Sequence, residues 1–178
     1  MRLSEEQKDI IRLVGAGLLV ASAIVCPNIA QLLKYLEPDN SKKRYIYKQS
    51  LIRLKKKGVL QLFGEEIKLT KKGKLLLKYI DIESFNINPE GEWDGRWHLI
   101  CYDVPERYKT ERDYFRLKLL DLGFVIIQDS LWVYPFNCKE EMAVIADYFG
   151  IGKYVAYLDT DYLPNQKSLI NKFNLSPK

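Results

Sequence analysis

The pattern of apolar and polar positions in the first half of the chain predicts a helical domain with one hairpin. Ser4, followed by two acids and then Gln7, is typical of a helix N-terminus. Apolar residues then recur at helical spacing from Ile10 until Pro27 ends the run. The elements predicted after it are helices at 29–36 and about 42–57, strands at 59–63 and 67–69, and a last helix that Thr70 caps. Three helices, a hairpin and a closing helix indicate a winged helix-turn-helix over residues 1–80.

The second half of the chain has a different pattern, in which short strands alternate with helices. A segment rich in Asn, Pro and Gly at 81–96 predicts a linker. The elements predicted beyond it are strands at 97–104, 124–128, 131–135 and 154–158, and helices at 106–122 and 137–149. The order βαββαβ predicts a ferredoxin-like domain over 97–178, so the fold class is α+β. Its helices should cover one face of the sheet and leave the other face for a partner.

Charge changes this picture, because it is concentrated in one segment. The whole chain has a formal net charge of +5, but residues 41–78 hold 13 Lys and Arg against only Glu65 and Glu66, a net charge of +11. Such a block repels itself and favours an anionic partner such as a nucleic-acid backbone. A lysine-rich surface that is only solvated is the alternative.

The helix predicted at 42–57 is the candidate for reading duplex DNA. Tyr47, Leu51 and Leu54 lie at i, i+4 and i+7 and predict an inward face, and Gly58 suits the C-terminal end. Lys and Arg suit phosphate or guanine, and Gln suits adenine. The candidate DNA-binding residues are Lys42, Lys43, Arg44, Tyr45, Lys48, Gln49, Lys55 and Lys56. The wing carries two acids at its tip and should stay off the backbone.

Cysteine and histidine usage limits the possible chemistry. The three cysteines, Cys26, Cys101 and Cys138, are far apart, which excludes a disulfide framework and a cysteine-rich zinc site and fits a reducing cytoplasm. His98 is the only histidine, so any serine triad would depend on that one imidazole. The apolar run up to Cys26 is too short to cross a bilayer. We therefore expect a cytoplasmic protein with no membrane association and no cofactor.

Several ordered motifs of the second half resemble a known family. They are Trp93-Asp94-Gly95-Arg96-Trp97, Tyr102-Asp103-Val104-Pro105-Glu106, Leu122-Gly123-Phe124 and the run from Gln128 to Pro135. Together, over about 93–160, they resemble the central domain of PaaX-type transcriptional repressors, which is similar to the small CRISPR-adaptation endonuclease that partners the spacer integrase. The resemblance implies a repressor-like regulator, homodimeric through this domain and bound to double-stranded DNA. Because the sequence ends at Lys178, we expect the C-terminal domain of those repressors, and with it their response to an acyl-CoA effector, to be missing.

Asp103 allows two interpretations. In the CRISPR endonucleases the matching aspartate is proposed to bind a divalent metal at a two-fold interface, which would make Mg²⁺ the cofactor of a metal-dependent nuclease or spacer-acquisition component. One carboxylate per protomer provides few ligands for a metal ion, however, and Asp103 could instead cap the helix that follows. We favour capping, and we expect a regulator rather than an efficient nuclease.

Overall fold

The computed structural model describes residues 3–20, 23–25, 41–63, 66–87 and 92–176. The chain divides into two compact units, an N-terminal unit of Met1–Ile82 and a C-terminal unit of Glu83–Lys178. Helices and antiparallel sheets occur in both units, which confirms the α+β class.

The N-terminal unit is built from helices and two antiparallel strand pairs. Its elements are α1 (Glu5–Ala16), β1 (Leu18–Val20), β2 (Ala23–Val25), α2 (Ser41–Lys56), β3 (Leu60–Phe63), β4 (Glu66–Leu69) and α3 (Lys71–Asp81). The predicted caps are confirmed. The Ser4 hydroxyl accepts from the Gln7 amide while the Gln7 side chain accepts from the Ser4 amide, and the Thr70 hydroxyl accepts from the Gly73 amide at 3.0 Å.

The first helix is shorter than the apolar run predicts. It ends at Ala16, and Gly17 has a φ of +63° that takes the chain out of the helix. β1 and β2 then pair antiparallel, Leu18 opposite Val25, where the sequence pattern predicts helix up to Pro27. The prediction is wrong because an apolar run of this kind fits strand as well as helix, and its β-branched residues favour strand. The helix predicted at 29–36 lies outside the described residues.

A core of aliphatic side chains holds the N-terminal unit together. Ile10 and Ile11 of α1, Leu54 of α2 and Leu76 of α3 are almost completely buried. A Cβ on Gly73 would lie 2.3 Å from the carbonyl oxygen of Val59. Only glycine therefore allows α3 to approach the chain at the end of α2 this closely.

The C-terminal unit is a four-stranded sheet with helices. Its elements are β5 (Trp97–Tyr102), α4 (Lys109–Asp121), β6 (Val125–Gln128), β7 (Leu131–Tyr134), α5 (Lys139–Phe149), β8 (Val155–Thr160) and α6 (Gln166–Phe173), with 3₁₀ turns at Glu106–Tyr108 and Gly152–Tyr154. The strand order is β6-β7-β5-β8 and every neighbouring pair is antiparallel. Of the segment predicted as a linker, Ile87 and Trp93 are buried.

Both faces of this sheet are covered at its centre. On one face Tyr102 packs edge-on against Phe115 of α4, and its hydroxyl accepts from the Trp132 indole at 3.2 Å. On the other face Trp97 and Leu99 form a core with Val133, against which the apolar side of α6 packs. The expectation that this second face is left for a partner is therefore wrong here, because a helix that the sequence pattern did not indicate occupies it.

Candidate nucleic-acid interface

The inward face of α2 is the one predicted. Leu51 and Leu54 are buried, and the Tyr47 hydroxyl donates to a carboxylate oxygen of Asp9 in α1 at 3.3 Å. The helix ends at Gly58, whose φ of +67° is the left-handed conformation that glycine adopts without strain. These contacts fix which side of α2 faces solvent.

The outward face of α2 carries all the candidate DNA-binding residues. Lys42, Lys43, Arg44, Tyr45, Lys48, Lys55 and Lys56 are exposed, and Gln49 is half-buried. Tyr45 is 63% exposed, which is unusual for so large a ring and leaves it available to a partner.

Three of these cations occupy an unfavourable place in the helix. The first turn of α2 contains Lys42, Lys43 and Arg44 and no acid. The helix macrodipole is positive at this end and opposes cations there, at a cost of about 0.3–1 kcal/mol each at low ionic strength. The helix dipole by itself therefore does not explain three cations at this end of α2.

The C-terminal end of α2 is attached to the start of α3. The Thr70 hydroxyl donates to the Gly58 carbonyl at 2.7 Å, and the Lys72 ammonium donates to the Lys57 carbonyl at 3.0 Å. The hairpin β3–β4 follows α2 directly, and Glu66 at the start of β4 forms an ion pair with Lys68 at 2.9 Å. The tip residues 64–65 lie outside the described residues.

Asp103 follows β5 and is exposed. Its backbone amide donates to the Tyr154 carbonyl at 3.0 Å. The 3₁₀ turn beyond it has Pro105 at its N-cap position and no side-chain capping bond, so the capping interpretation is wrong. Within the described ranges, no group of three or more His, Cys, Asp or Glu residues could hold a metal ion. Asp103 is therefore an exposed carboxylate that belongs to no such group among the described residues.

Two cations in the first half of α4 share the carboxylate of Glu106, which lies in the turn before the helix. Glu106 forms ion pairs with Lys109 at 3.3 Å and with Arg112 at 3.1 Å. The hydrogen bond from Arg112 is the main reason that the pKa of Glu106 is lowered. Arg112 also donates to the Val104 carbonyl at 3.2 Å, which ties this helix to the end of β5.

A second group of cations beside Asp103 is one that the sequence pattern does not reveal. The Arg107 guanidinium lies 5.1 Å from the centre of the Tyr108 ring and donates to the Tyr154 hydroxyl at 3.3 Å. The Lys153 ammonium lies 5.0 Å from the centre of the Tyr154 ring. The only signal in the sequence is the repeated pairing of a cation with a following tyrosine, Arg107-Tyr108 and Lys153-Tyr154.

The single histidine lines a cavity of about 300 Å³ between β5, β8 and the start of α5. Burial lowers the pKa of His98, so its imidazole is neutral at pH 7. Cys138 shares the cavity, but burial raises the pKa of its thiol to about 12 and it is not a thiolate nucleophile. The lining residues, all from the described ranges, include no serine, so His98 has no triad partner here.

No helix among the described residues is both long enough and apolar enough to cross a membrane.

Comparison with known proteins finds a similarity for the C-terminal unit. Residues 90–169 match the family model of the PaaX protein central Cas2-like domain. This range contains the whole sheet and Asp103, and it confirms the resemblance carried by the motifs between Trp93 and Pro135. No curated protein sequence matches the chain.

Proposed function

Because residues 90–169 match the family model of the PaaX protein central Cas2-like domain, we propose that this protein is a cytoplasmic, homodimeric transcriptional regulator of the repressor type that binds double-stranded DNA. The N-terminal unit is then a winged helix-turn-helix, with α2 as recognition helix and the hairpin β3–β4 as wing. The C-terminal unit is ferredoxin-like, which its strand order β6-β7-β5-β8 and its antiparallel pairing support.

The observation that carries the proposal is the first turn of α2. Lys42, Lys43 and Arg44 are exposed at the helix end where the macrodipole disfavours them. A phosphate backbone would turn this cost into a gain, since both the cations and the helix N-terminus attract anions. Recognition helices of this class enter the major groove with their N-terminal part, which is where these residues lie.

The candidate residues of α2 divide by chemistry into two roles. Lysines such as Lys48, Lys55 and Lys56 contact phosphates as flexible point charges and contribute affinity. Arg44 and Gln49 have planar groups that bond two atoms of one base edge, so they contribute sequence preference toward guanine and adenine. The wing, with Glu66 exposed and paired to Lys68, stays away from the phosphates.

In the proposed dimer, the protomers contact each other through an edge of the C-terminal sheet rather than through one of its faces. β6 is an edge strand, but its pairing with β7 is irregular between Ile126 and Gln128, and such a bulge hinders further strand pairing. β8 is the other edge, pairs with β5 in a regular six-residue register, and exposes 55% of Leu158. We therefore assign the contact between protomers to β8.

The test is the salt dependence of duplex binding by the full chain. Replacing Lys42, Lys43 and Arg44 together with Ala should weaken binding and reduce the slope of log K against log salt by up to about three units, one for each lost phosphate contact. Circular dichroism and a urea titration of the same variant check that it remains folded.

Weaker binding by a variant that remains folded would exclude misfolding as the cause of the lost affinity. The matched control replaces three cations of α1 and α3, Lys8, Arg12 and Lys78, with Gln. It carries the same change in net charge and should retain nearly the parental slope. An unchanged slope in the α2 variant, or an equal loss in both, would refute α2 as the DNA-binding helix.

A further inference from the structure

Beside Asp103, two cations are held on tyrosine rings at the surface of the C-terminal unit. Arg107 and Tyr108 come from the 3₁₀ turn after β5, and Lys153 and Tyr154 come from the turn before β8. The two tyrosine rings lie 5.7 Å apart, so the turns are in direct contact. We call Arg107, Tyr108, Lys153 and Tyr154 the tyrosine–cation cluster.

The cluster differs from the other cations nearby in its partners. Lys109 and Arg112 share the carboxylate of Glu106. Among the described residues, no carboxylate lies within 4.0 Å of the charged groups of Arg107 or Lys153, and both side chains are exposed. Their contacts are instead with tyrosine rings and a tyrosine hydroxyl, which restrict the motion of the two charges without neutralising them.

We infer that the tyrosine–cation cluster binds a backbone phosphate of duplex DNA, as a second contact of the same nucleic acid that α2 binds. The inference rests on the proposed function, because the phosphate belongs to the regulator's own DNA site. Two cations that are already positioned lose little side-chain entropy when a phosphate binds between them.

The Tyr154 hydroxyl adds a donor to this site. It accepts a hydrogen bond from Arg107 and keeps its own hydrogen to donate to a phosphate oxygen. The hydrogen bond from Arg107, with a smaller contribution from Lys153, lowers the pKa of this phenol, which strengthens it as a donor. Base stacking is a poorer explanation, because the cations already contact the ring faces of Tyr108 and Tyr154.

The experiment measures duplex binding by the full chain as a function of salt. Replacing Arg107 and Lys153 together with Gln should weaken binding about 5- to 50-fold and reduce the slope by about one to two units. The control replaces Lys109 and Lys167 with Gln, which gives the same net charge within the same unit and should leave the slope near the parental value. Tyr154→Phe keeps the ring and should cause a smaller loss of affinity with little change of slope.

Folding of the cluster is checked separately by the tyrosine titration. In ¹³C-tyrosine spectra, the phenol of Tyr154 should have a higher pKa in the variant that lacks Arg107 and Lys153 than in the parent, because its hydrogen bond from Arg107 is lost.

The outcomes separate this inference from the proposed function. Loss of affinity in both the α2 variant and the Arg107/Lys153 variant supports both. An unchanged slope in the Arg107/Lys153 variant, with a reduced slope in the α2 variant, overturns the inference alone. The reverse pattern leaves the phosphate site and refutes α2. If the Arg107/Lys153 variant and its control lose affinity equally, the loss is due to net charge alone and the inference is overturned. Absence of DNA binding by the parent would also overturn it.

Discussion

At the scale of single residues, the buried cation Lys118 holds the first residues of the C-terminal unit in place. It is 1% exposed, and its ammonium donates to the carbonyl oxygens of Glu83 at 3.2 Å and Phe85 at 2.8 Å. A buried ammonium is tolerated only when such acceptors replace its water. The segment that the sequence predicts as a linker is thus fixed to α4 at its start.

The pH dependence of stability should report this ammonium. Burial lowers the pKa of Lys118, an effect that the nearby carboxylates of Asp121 and Glu83 oppose only in part. At a pH between the pKa of Lys118 in the folded chain and its pKa in the unfolded chain, the unfolded chain binds one proton more than the folded chain. The free energy of unfolding therefore rises with pH across this range. Below the range Lys118 is charged in both states, and the buried charge destabilises the fold to its full extent.

The free energy of unfolding of the parent, minus that of Lys118→Met, should therefore increase with pH up to the ordinary pKa of lysine. Urea titrations followed by tryptophan emission measure it, since Trp93, Trp97 and Trp132 all lie in the C-terminal unit. A difference that stays constant with pH would mean that Lys118 is not buried in solution.

At the scale of elements, the sequence predicts best where local chemistry decides the conformation. Ser4 and Thr70 begin helices and Gly58 ends one, because each acts on backbone groups within a few residues. The hairpin β6–β7 is likewise at its predicted place. The order of α2, β3, β4 and α3 follows from the same local signals.

The elements that were missed depend on contacts that sequence spacing does not show. The residues of β1 and β2 are apolar and would fit a helix equally well. They form strands because Gly17 ends α1 before them. Helix α6 has no side-chain cap, and the residue before it, Asn165, has a left-handed backbone conformation. Packing against the sheet therefore stabilises this helix more than local sequence signals do. The tyrosine–cation cluster joins residues 47 positions apart and exists only after folding.

Removal of an aromatic side chain from α6 tests whether this helix covers the sheet. The ring of Phe173 lies 6.2 Å from that of Trp97 and 6.0 Å from that of Tyr134. Because Phe173 is half-buried, Phe173→Ala should lower the free energy of unfolding by about 1–3 kcal/mol, less than the ~3–5 kcal/mol of a fully buried ring.

Tryptophan emission should also shift to the red as water reaches Trp97. Lys172→Ala, at the exposed neighbouring position, is the control and should change neither quantity. Equal stability of the two variants would show that α6 does not pack on this face.

At the scale of the whole molecule, the proposed dimer and the proposed DNA contacts belong to one arrangement. A pair of protomers joined through β8 has two-fold symmetry, and each protomer then brings one α2 to the duplex. Such symmetry calls for two half-sites of matching sequence, about one helical turn apart or a multiple of it. In this proposed arrangement the net positive charge at 41–78 would supply affinity for any duplex, and the two-fold symmetry would add selection for paired half-sites.

A hydroxyl-radical footprint of the full chain on a duplex selected from random sequence tests this claim most directly. The account predicts two protected half-sites related by two-fold symmetry, with centres about 10–10.5 base pairs or a multiple apart. Leu158→Lys should protect the same positions only at higher protein concentration, because its dimer is weaker. A single asymmetric protected tract, no protection, or strand cleavage that requires Mg²⁺ and is lost in Asp103→Ala would contradict the account, and the last result would establish the nuclease alternative.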